Sequence, residues 1–343
     1  MILLAANYHY VCAAPGAPGK AIFPVTTAEL EAQLRGLGEQ FDFVSRDDLL
    51  DAVAGLRSLP ERACVVTFDD GLRCQAEIAA PLLERLGVPA LYFVSGQPLA
   101  ERRPLGVHLI HHLRDHVDDA LVLEVLGRIA PAAIAEQTLL DPELAQRMYR
   151  YDTPAAASVK YLLNVTLPAD DVQAVCEALF SELVGPIQGF CEHVYMDAGQ
   201  VAELERASGA IGAHGYAHRP LRQLPLRAAA ADIDAGARVL EGVTGRRPRF
   251  VSYPYGSVSA VDRSVAEGAA ALGMLAGLTM ERAFNRSLED PMLLARLDVN
   301  DMPGGRRPLF DLHTLQVTNA GMTPSRRRHT DERVHETRIL AGE

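Results

Sequence analysis

The sequence has no tryptophan, and aromatic residues make up only 6% of its 343 residues. Stacking platforms for single-stranded nucleic acid or for long glycan chains need more aromatic surface than this. Positive charge is also scarce, because 33 Lys and Arg stand against 44 Asp and Glu and leave a net charge of −11. Phosphate backbones require a basic face. These two deficits argue against nucleic acid as a partner.

A cysteine framework and long apolar runs are missing too. The five cysteines are scattered without a Cys-x-x-Cys pair, which predicts free thiols in a reducing compartment. No apolar run approaches the roughly 18 residues of a membrane helix. The apolar segment 1–7 is too short for a secretory signal and has no basic flank. We therefore expect a cytoplasmic protein without a transmembrane segment.

Strand-like and helix-like patterns alternate along the chain, which predicts a parallel sheet with helices outside it. The expected strands are 2–8, 41–45, 63–68, 89–94, 210–213, 250–253, 275–279 and 293–299. Between the fourth and fifth of these strands the pattern is helical only. The sequence therefore predicts an α/β barrel, with a helical insertion or lid and a C-terminal tail. The barrel takes 1–97 and 196–303, the insertion 98–195 and the tail 304–343.

Two adjacent carboxylates follow the third expected strand. Asp69 and Asp70 end the apolar run Cys64-Val-Val-Thr-Phe-Asp-Asp-Gly71. Helix capping or a turn is the structural alternative, since Asp suits both. However, α/β barrels build their active sites at the carboxyl ends of the strands. Neighbouring side chains on an extended segment point apart, so one carboxylate can bind a metal while the other faces its water.

Two histidines follow the strand expected at 210–213. His214 and His218 lie in Ala210-Ile-Gly-Ala-His-Gly-Tyr-Ala-His218, where glycines indicate a turn rather than a helix. A chance pair of core or surface histidines is the alternative. With one aspartate, the two imidazoles form an Asp/His/His set that leaves coordination positions open, as catalytic metal sites do. The residue types and their placement therefore predict a metal-dependent hydrolase.

These segments resemble the motifs of a known family. Thr67-Phe-Asp-Asp-Gly71 and His214-Gly-Tyr-Ala-His218 are similar to the first two motifs of polysaccharide deacetylases, the NodB-homology carbohydrate esterases. The resemblance implies a distorted (β/α) barrel and hydrolysis of N-acetyl groups on amino sugars. It implies a general base at Asp69 and a metal held by three side chains: Asp70, His214 and His218.

The third motif is altered. Phe250-Val-Ser-Tyr-Pro-Tyr-Gly256 is similar to the family's Arg-x-Pro-Tyr-Gly, but Ser252 occupies the position of the arginine that orients the base. Arg296, at the end of the last expected strand, is the candidate substitute, and an ordinary surface arginine is the alternative. The resemblance also implies an oxyanion donor in the backbone N–H of Tyr255, presented by the turn that Pro254 fixes.

Two further segments indicate a subgroup. Asn7-Tyr-His-Tyr-Val11 resembles the start of deacetylases that act on biofilm poly-N-acetylglucosamine, in which the acid-bearing motif lies at the N-terminus. His9 would then protonate the departing amine, with a buried core histidine as the alternative. Tyr149-Arg-Tyr-Asp152 and Lys160-Tyr-Leu-Leu-Asn164 resemble family members from bacterial surface-glycan gene clusters.

The insertion also holds three histidines on one helical pattern: His108, His111 and His112. Packing or a surface position is the main interpretation, and contacts between a lid and the substrate are the other. The sequence leaves both open.

The implied reaction is metal-assisted amide hydrolysis that yields acetate, or formate, and a free amino sugar. A divalent cation lowers the pKa of its water from ~16 toward ~7 and polarises the acyl oxygen. Zinc is expected from the ligand types, and Co²⁺, Ni²⁺ or Fe²⁺ suit the same nitrogen and oxygen atoms.

The substrate expected for a protein without an export signal is a small amino-sugar compound, nucleotide-linked or lipid-linked, from surface-polysaccharide or related biosynthesis. Two alternatives stay open. One is an amidase or deformylase that acts on a non-sugar amide. The other is a metal-binding protein with impaired catalysis, which the altered third motif favours. The sequence is compatible with an oligomer and does not define one.

Overall fold

The computed structural model describes residues 1–14, 22–130, 142–149, 152–163, 167 and 171–315. Most of the predicted C-terminal tail, 316–343, lies outside the described residues, and so do Arg150, Tyr151 and Asn164 of the two insertion motifs. In the part of the chain that is described, no helix is both long enough and apolar enough to cross a membrane.

The fold is built on one parallel sheet. The strands are β1 Ile2–Tyr8, β2 Val11–Cys12, β3 Val25–Thr26, β4 Asp42–Phe43, β5 Arg62–Phe68, β6 Ala90–Val94, β7 Ile211–Ala213, β8 Phe250–Ser252, β9 Ala276–Leu278 and β10 Leu297–Asp298. The sheet has the order β10-β1-β5-β6-β7-β8-β9, with β4 also paired to β5, while β2 and β3 pair separately. A parallel bridge from Leu278 to Leu294 brings the chain before β10 back to β9. The predicted α/β barrel is confirmed.

Helices surround this sheet. They are α1 Thr27–Gly38, α2 Arg46–Val53, α3 Ala80–Leu86, α4 Gly96–Glu101, α5 Gly106–His116, α6 Asp119–Ile129, α7 Pro142–Met148, α8 Pro154–Tyr161, α9 Val172–Leu183, α10 Phe190–Val194, α11 Ala198–Ser208, α12 Leu226–Thr244 and α13 Arg263–Ala271. A π-helical turn, Gln75–Ala79, leads into α3. Apolar periodicity in a sequence does not by itself reveal such a turn.

The register of β1 and β5 decides where the site lies. Both strands are apolar runs that the structure buries almost completely. They pair in parallel from Ile2 opposite Arg62 to Tyr8 opposite Phe68, so they end side by side. His9 and Asp69, the next residues of each strand, therefore lie at the same edge of the sheet. Parallel pairing puts the loops after β6, β7 and β8 at this edge as well.

The chain between β6 and β7 is helical from α4 to α10, and its described residues form no strand. Four of these helices (α5, α6, α8 and α9) share a hydrophobic cluster of their own, which includes Leu109, Leu113, Leu126 and Leu179. A second, smaller cluster joins the insertion to the barrel: Leu105 and Tyr195 pack with Leu72, which follows the carboxylate pair. The insertion is thus anchored directly beside the end of β5.

Candidate functional site

The turn after β5 separates the two carboxylates. Asp70 and Gly71 both adopt left-handed backbone conformations, with φ of 79° and 66°. Glycine is needed at the second position, because a Cβ on Gly71 would lie 2.7 Å from a methyl carbon of Val94. As a result, the side chain of Asp69 meets Arg296, the residue before β10, whereas that of Asp70 meets histidines from the other side.

Asp70, His214 and His218 form a cluster whose ligand atoms all lie within 4.8 Å of one another. The Oδ1 atom of Asp70 is 3.3 Å from Nε2 of His214 and 3.4 Å from Nε2 of His218. This oxygen is buried and has no hydrogen-bond partner among the described residues. A buried, unpartnered carboxylate oxygen facing two imidazole nitrogens fits a bound cation, so these three residues can hold a metal.

The orientation of His214 suits it as a ligand. Its Nδ1 lies 2.7 Å from the backbone oxygen of Ser252, which can only accept a hydrogen bond. Nδ1 therefore carries the hydrogen, and the neutral ring presents its Nε2 lone pair to the cluster. Burial lowers the pKa of His214, but the carboxylates of Asp69 and Asp70 outweigh this and raise it overall. The cluster thus attracts positive charge.

The loop that carries His218 is tied to α12. Asp232 accepts hydrogen bonds from the backbone N–H of Tyr216, at 2.8 Å, and of Ala217, at 3.3 Å. His218 itself has a left-handed backbone with φ of 53°, and its ring centroid lies 5.0 Å from that of His214. The glycine-rich turn predicted from the sequence therefore does bring the two imidazoles together.

Asp69 makes a buried, two-pronged ion pair with Arg296. Nη1 of Arg296 donates to Oδ1 of Asp69 at 2.8 Å, and Nη2 donates to Oδ2 at 2.6 Å. Arg296 is fully buried and also donates to Asn7, Thr67 and the backbone oxygen of Thr279. Burial would raise the pKa of Asp69, but the charge of Arg296, then that of His214, lowers it to about 2. The surface-arginine alternative is wrong.

His9 lies at the predicted edge of the barrel. Its side chain is 34% exposed, so it is not a buried core histidine, and its Nδ1 is 3.9 Å from Oδ2 of Asp298. The backbone oxygen of His9 and that of Asp69 both accept a hydrogen bond from the same side chain. Gln75, which is fully buried, donates from Nε2 to the Asp69 oxygen at 2.6 Å and to the His9 oxygen at 3.0 Å.

Tyr255 also reaches the cluster. It follows Pro254 with a φ of 62°, and its ring lies edge-on to His218 with a centroid distance of 4.7 Å. Three predicted site residues, Asp70, His218 and Tyr255, therefore have left-handed backbones, which cost a residue with a side chain roughly 1–3 kcal/mol each. Strain of this kind concentrates at functional sites. The oxyanion role of the Tyr255 N–H stays a prediction.

The insertion contributes a residue that the sequence analysis did not assign to the site. His108 is fully buried, and its Nε2 lies 3.1 Å from Oδ2 of Asp70. His111 is 3.4 Å from the hydroxyl of Tyr10, and His112 packs edge-on against Phe190. The packing interpretation therefore suits the last two histidines. Gln75 was missed as well, because its role depends on a backbone contact 66 residues away.

A cleft of about 180 Å³ leads to the cluster between the barrel and the insertion. Its walls include Ala217, His218 and Tyr255 from the barrel and Gly106, Val107 and Gln173 from the insertion. The cleft has room for a small group beside the cluster, and both parts of the chain line it.

The comparisons with known proteins agree with this geometry. Residues 186–277 match the family model described as polysaccharide deacetylase, a segment that contains both histidines and the altered third motif. The predicted resemblance is confirmed. The similarity to the subgroup with an N-terminal Tyr-His motif stays a prediction. Among curated proteins, no sequence matches the chain significantly.

Solved structures of deacetylases share the fold. The deacetylase PplD of Streptococcus pyogenes, in complex with acetate, is 13% identical with a TM-score of 0.53, covering 87% of this chain and 92% of that one. IcaB from Ammonifex degensii is 20% identical, also with a TM-score of 0.53, over 86% and 91%. A de-N-acetylase from Aggregatibacter actinomycetemcomitans is 17% identical with a TM-score of 0.52, over 87% and 96%. The distorted (β/α) barrel of polysaccharide deacetylases is therefore the fold of this chain.

Proposed function

We propose that the protein is a metal-dependent deacetylase that removes an N-acetyl or N-formyl group from an amino sugar. The main support for the proposal is that a possible cation site and a fixed carboxylate lie next to each other at one edge of the sheet. Asp70, His214 and His218 offer a cation site, and the next residue, Asp69, presents a carboxylate fixed by Arg296. The family match and the fold support the same assignment.

The chemistry divides among the residues of the site. A divalent cation held there would acidify water and polarise an acyl oxygen. Asp69, whose pKa of about 2 keeps it ionised at neutral pH, accepts the proton of the attacking water. The backbone N–H of Tyr255 donates to the oxyanion of the tetrahedral intermediate. His9, half-exposed at the same edge, protonates the departing amine.

The proposed substrate is small and carries its amino sugar on a nucleotide or a lipid. The cleft beside His218 has a volume of about 180 Å³ and is walled by the insertion, which suits one sugar ring better than a long chain. Zinc is the proposed metal, because the site offers two imidazoles and one carboxylate, and Co²⁺, Ni²⁺ or Fe²⁺ suit the same atoms.

The alternative of a catalytically impaired metal-binding protein loses its main support. That alternative was based on the missing motif arginine, and Arg296 contacts the carboxylate that such an arginine would orient. The amidase or deformylase alternative is tested by the choice of substrates.

The decisive experiment combines metal analysis with acetate or formate release. The purified protein is assayed on N-acetyl and N-formyl amino sugars, free and nucleotide-linked, and on non-sugar amides. The variants Asp70→Ala, His214→Ala and His218→Ala should each lose bound metal and activity together. His193→Ala, at an exposed histidine that is not part of the cluster, serves as the matched control and should keep both. Wild-type metal content in all three site variants would refute the metal site, and cleavage of non-sugar amides alone would refute the sugar substrate.

A further inference from the structure

The two carboxylate oxygens of Asp70 have different surroundings. Oδ1 faces the Nε2 atoms of His214 and His218 and has no hydrogen-bond partner in the described part of the chain. Oδ2 is 3.1 Å from Nε2 of His108, which belongs to α5 of the insertion. The insertion therefore reaches the same carboxylate as the barrel histidines, from its opposite oxygen.

A chain of hydrogen bonds holds the ring of His108 in place. The backbone N–H of Leu105 donates to the hydroxyl oxygen of Tyr195 at 2.9 Å, and this hydroxyl lies 2.6 Å from Nδ1 of His108. An ionised carboxylate only accepts hydrogen bonds, so Nε2 of His108 must donate to Asp70. In the tautomer of His108 that carries its hydrogen on Nε2, the Tyr195 hydroxyl accepts from Leu105 and donates its own hydrogen to Nδ1. This assignment gives each of the three contacts one donor and one acceptor.

We propose that His108 is a positioning residue for the metal site: it donates to Oδ2 of Asp70, so that of the two oxygens of this carboxylate only Oδ1 is left to bind a cation. Tyr195 holds His108 in the tautomer that this requires. The inference rests on the proposed metal site and adds to it a part that the insertion supplies. The helical insertion is thus needed to complete the cation site, and not only to cover it.

The physical reason is the burial of the carboxylate. Asp70 is 5% exposed and His108 is fully buried. If the imidazole of His108 were removed, Oδ2 would lose its hydrogen-bond donor in a place that water does not easily reach. The carboxylate would then rotate toward the cation and bind it with both oxygens, or turn away from it. Hydrogen-bond partners of metal ligands typically contribute about 10–100-fold to metal affinity.

The test measures the dissociation constants of Zn²⁺ and Co²⁺ by competition with a chelator. His108→Ala should bind both ions about 10–100-fold more weakly than the wild type. His108→Gln keeps an N–H donor near the position of Nε2 and should recover most of this loss. Tyr195→Phe keeps the ring but removes the hydroxyl, and its metal affinity should lie between those of His108→Ala and His108→Gln. His112→Ala, on the same helix, is the matched control and should bind like the wild type.

Two further readouts separate positioning from a general structural role. The visible absorption of bound Co²⁺ reports coordination number, so it should change in His108→Ala and return in His108→Gln. Thermal unfolding of the metal-free variants shows whether each is folded. If His108→Ala does not fold, the test depends on Tyr195→Phe and His108→Gln. The inference is refuted if Tyr195→Phe binds the ions as tightly as the wild type. It is also refuted if His108→Gln binds them about 10–100-fold more weakly than the wild type.

The outcomes also separate the inference from the proposed function. A wild-type protein that binds neither ion refutes the metal site and the inference with it. A wild-type protein that binds them, together with a folded His108→Ala of equal affinity, refutes only the role of His108. Equal losses in His108→Ala and His108→Gln likewise refute the donor role.

Discussion

Arg296 donates from Nη2 to the hydroxyl oxygen of Ser252 over 2.7 Å, although the two residues lie 44 positions apart. Ser252 occupies the position at which the family motif has its arginine, and its own hydroxyl donates to Oδ2 of Asp69 at 3.0 Å. Arg296, the residue before β10, therefore contacts both Ser252 and the carboxylate of Asp69. The positive charge beside the candidate base is supplied by another segment of the chain.

Arg296→Gln should destabilise the protein strongly, because it leaves the buried carboxylate of Asp69 without its countercharge. Breaking a buried ion pair by removing one partner typically costs about 3–5 kcal/mol. Arg263→Gln, which breaks the exposed pair with Asp290, should cost under about 1 kcal/mol and is the control. Chemical denaturation at pH 7 measures both.

The same variant should change the pH dependence of stability. With Arg296 present, the pKa of Asp69 is lowered to about 2. The stabilisation that the ionised Asp69 gives the folded protein is therefore complete above the unfolded pKa of about 4 and is lost as the pH falls toward 2. Without Arg296, burial dominates and raises the pKa of Asp69. The difference in the free energy of unfolding between the wild type and Arg296→Gln should therefore become smaller as the pH falls from 7 to 5. A difference that does not change with pH would contradict this account.

Asp69→Asn should keep bound metal and lose about 10²–10⁴-fold in turnover, because the amide cannot accept the proton of water. Arg296 would then be buried without its anion, so stability should fall too. Turnover and metal content are therefore measured well below the unfolding temperature of the variant. Near-normal turnover in a folded, metal-loaded variant would show that another group is the base.

His9→Ala should retain metal and lose about 10²–10⁴-fold in turnover on an amide substrate. The loss should be smaller on an activated ester, since its leaving group departs without a proton. Steady-state rates on a matched amide and ester provide the comparison, with Asp298→Asn as a milder change, because Asp298 lies 3.9 Å from the His9 ring. Equal losses on both substrates would remove His9 from the acid role.

Helix α5 should exchange its amide hydrogens slowly even without ligand. His108, Leu109 and Leu113 on this helix are almost fully buried, and α5 packs against α9. Hydrogen exchange with and without product should therefore show little change over 109–114. Fast exchange that slows only when product binds would instead favour the lid hypothesis for the insertion.

The barrel and most of the site could be predicted because their signals are local. The strand before Asp69 and the turn around His214 each carry their pattern within a few consecutive residues. The strand expected at 293–299 is shorter in the structure, where β10 is Leu297–Asp298 and Arg296 directly precedes it. Parallel strands then bring their carboxyl ends together without further information.

The contact between His108 and Asp70 depends on how an entire helix packs on the barrel. His108, His111 and His112 lie on one helical face, so periodicity does not tell which of them points at the carboxylate. Tyr195 lies 87 residues from His108 and has no local motif. Three histidines on one face are a signal that the helix approaches something polar, but the register is decided by packing.

Left-handed backbones at Asp70, His218 and Tyr255 have a consequence for laboratory evolution. Glycine adopts these conformations without strain, and at position 70 it would also remove a buried charge. A selection for heat tolerance alone, carried out without metal, should therefore favour glycine at position 70 and so remove a candidate ligand. Variants enriched in such a selection should unfold at a higher temperature and bind metal more weakly than the wild type. Stability and metal binding would then place opposite demands on position 70.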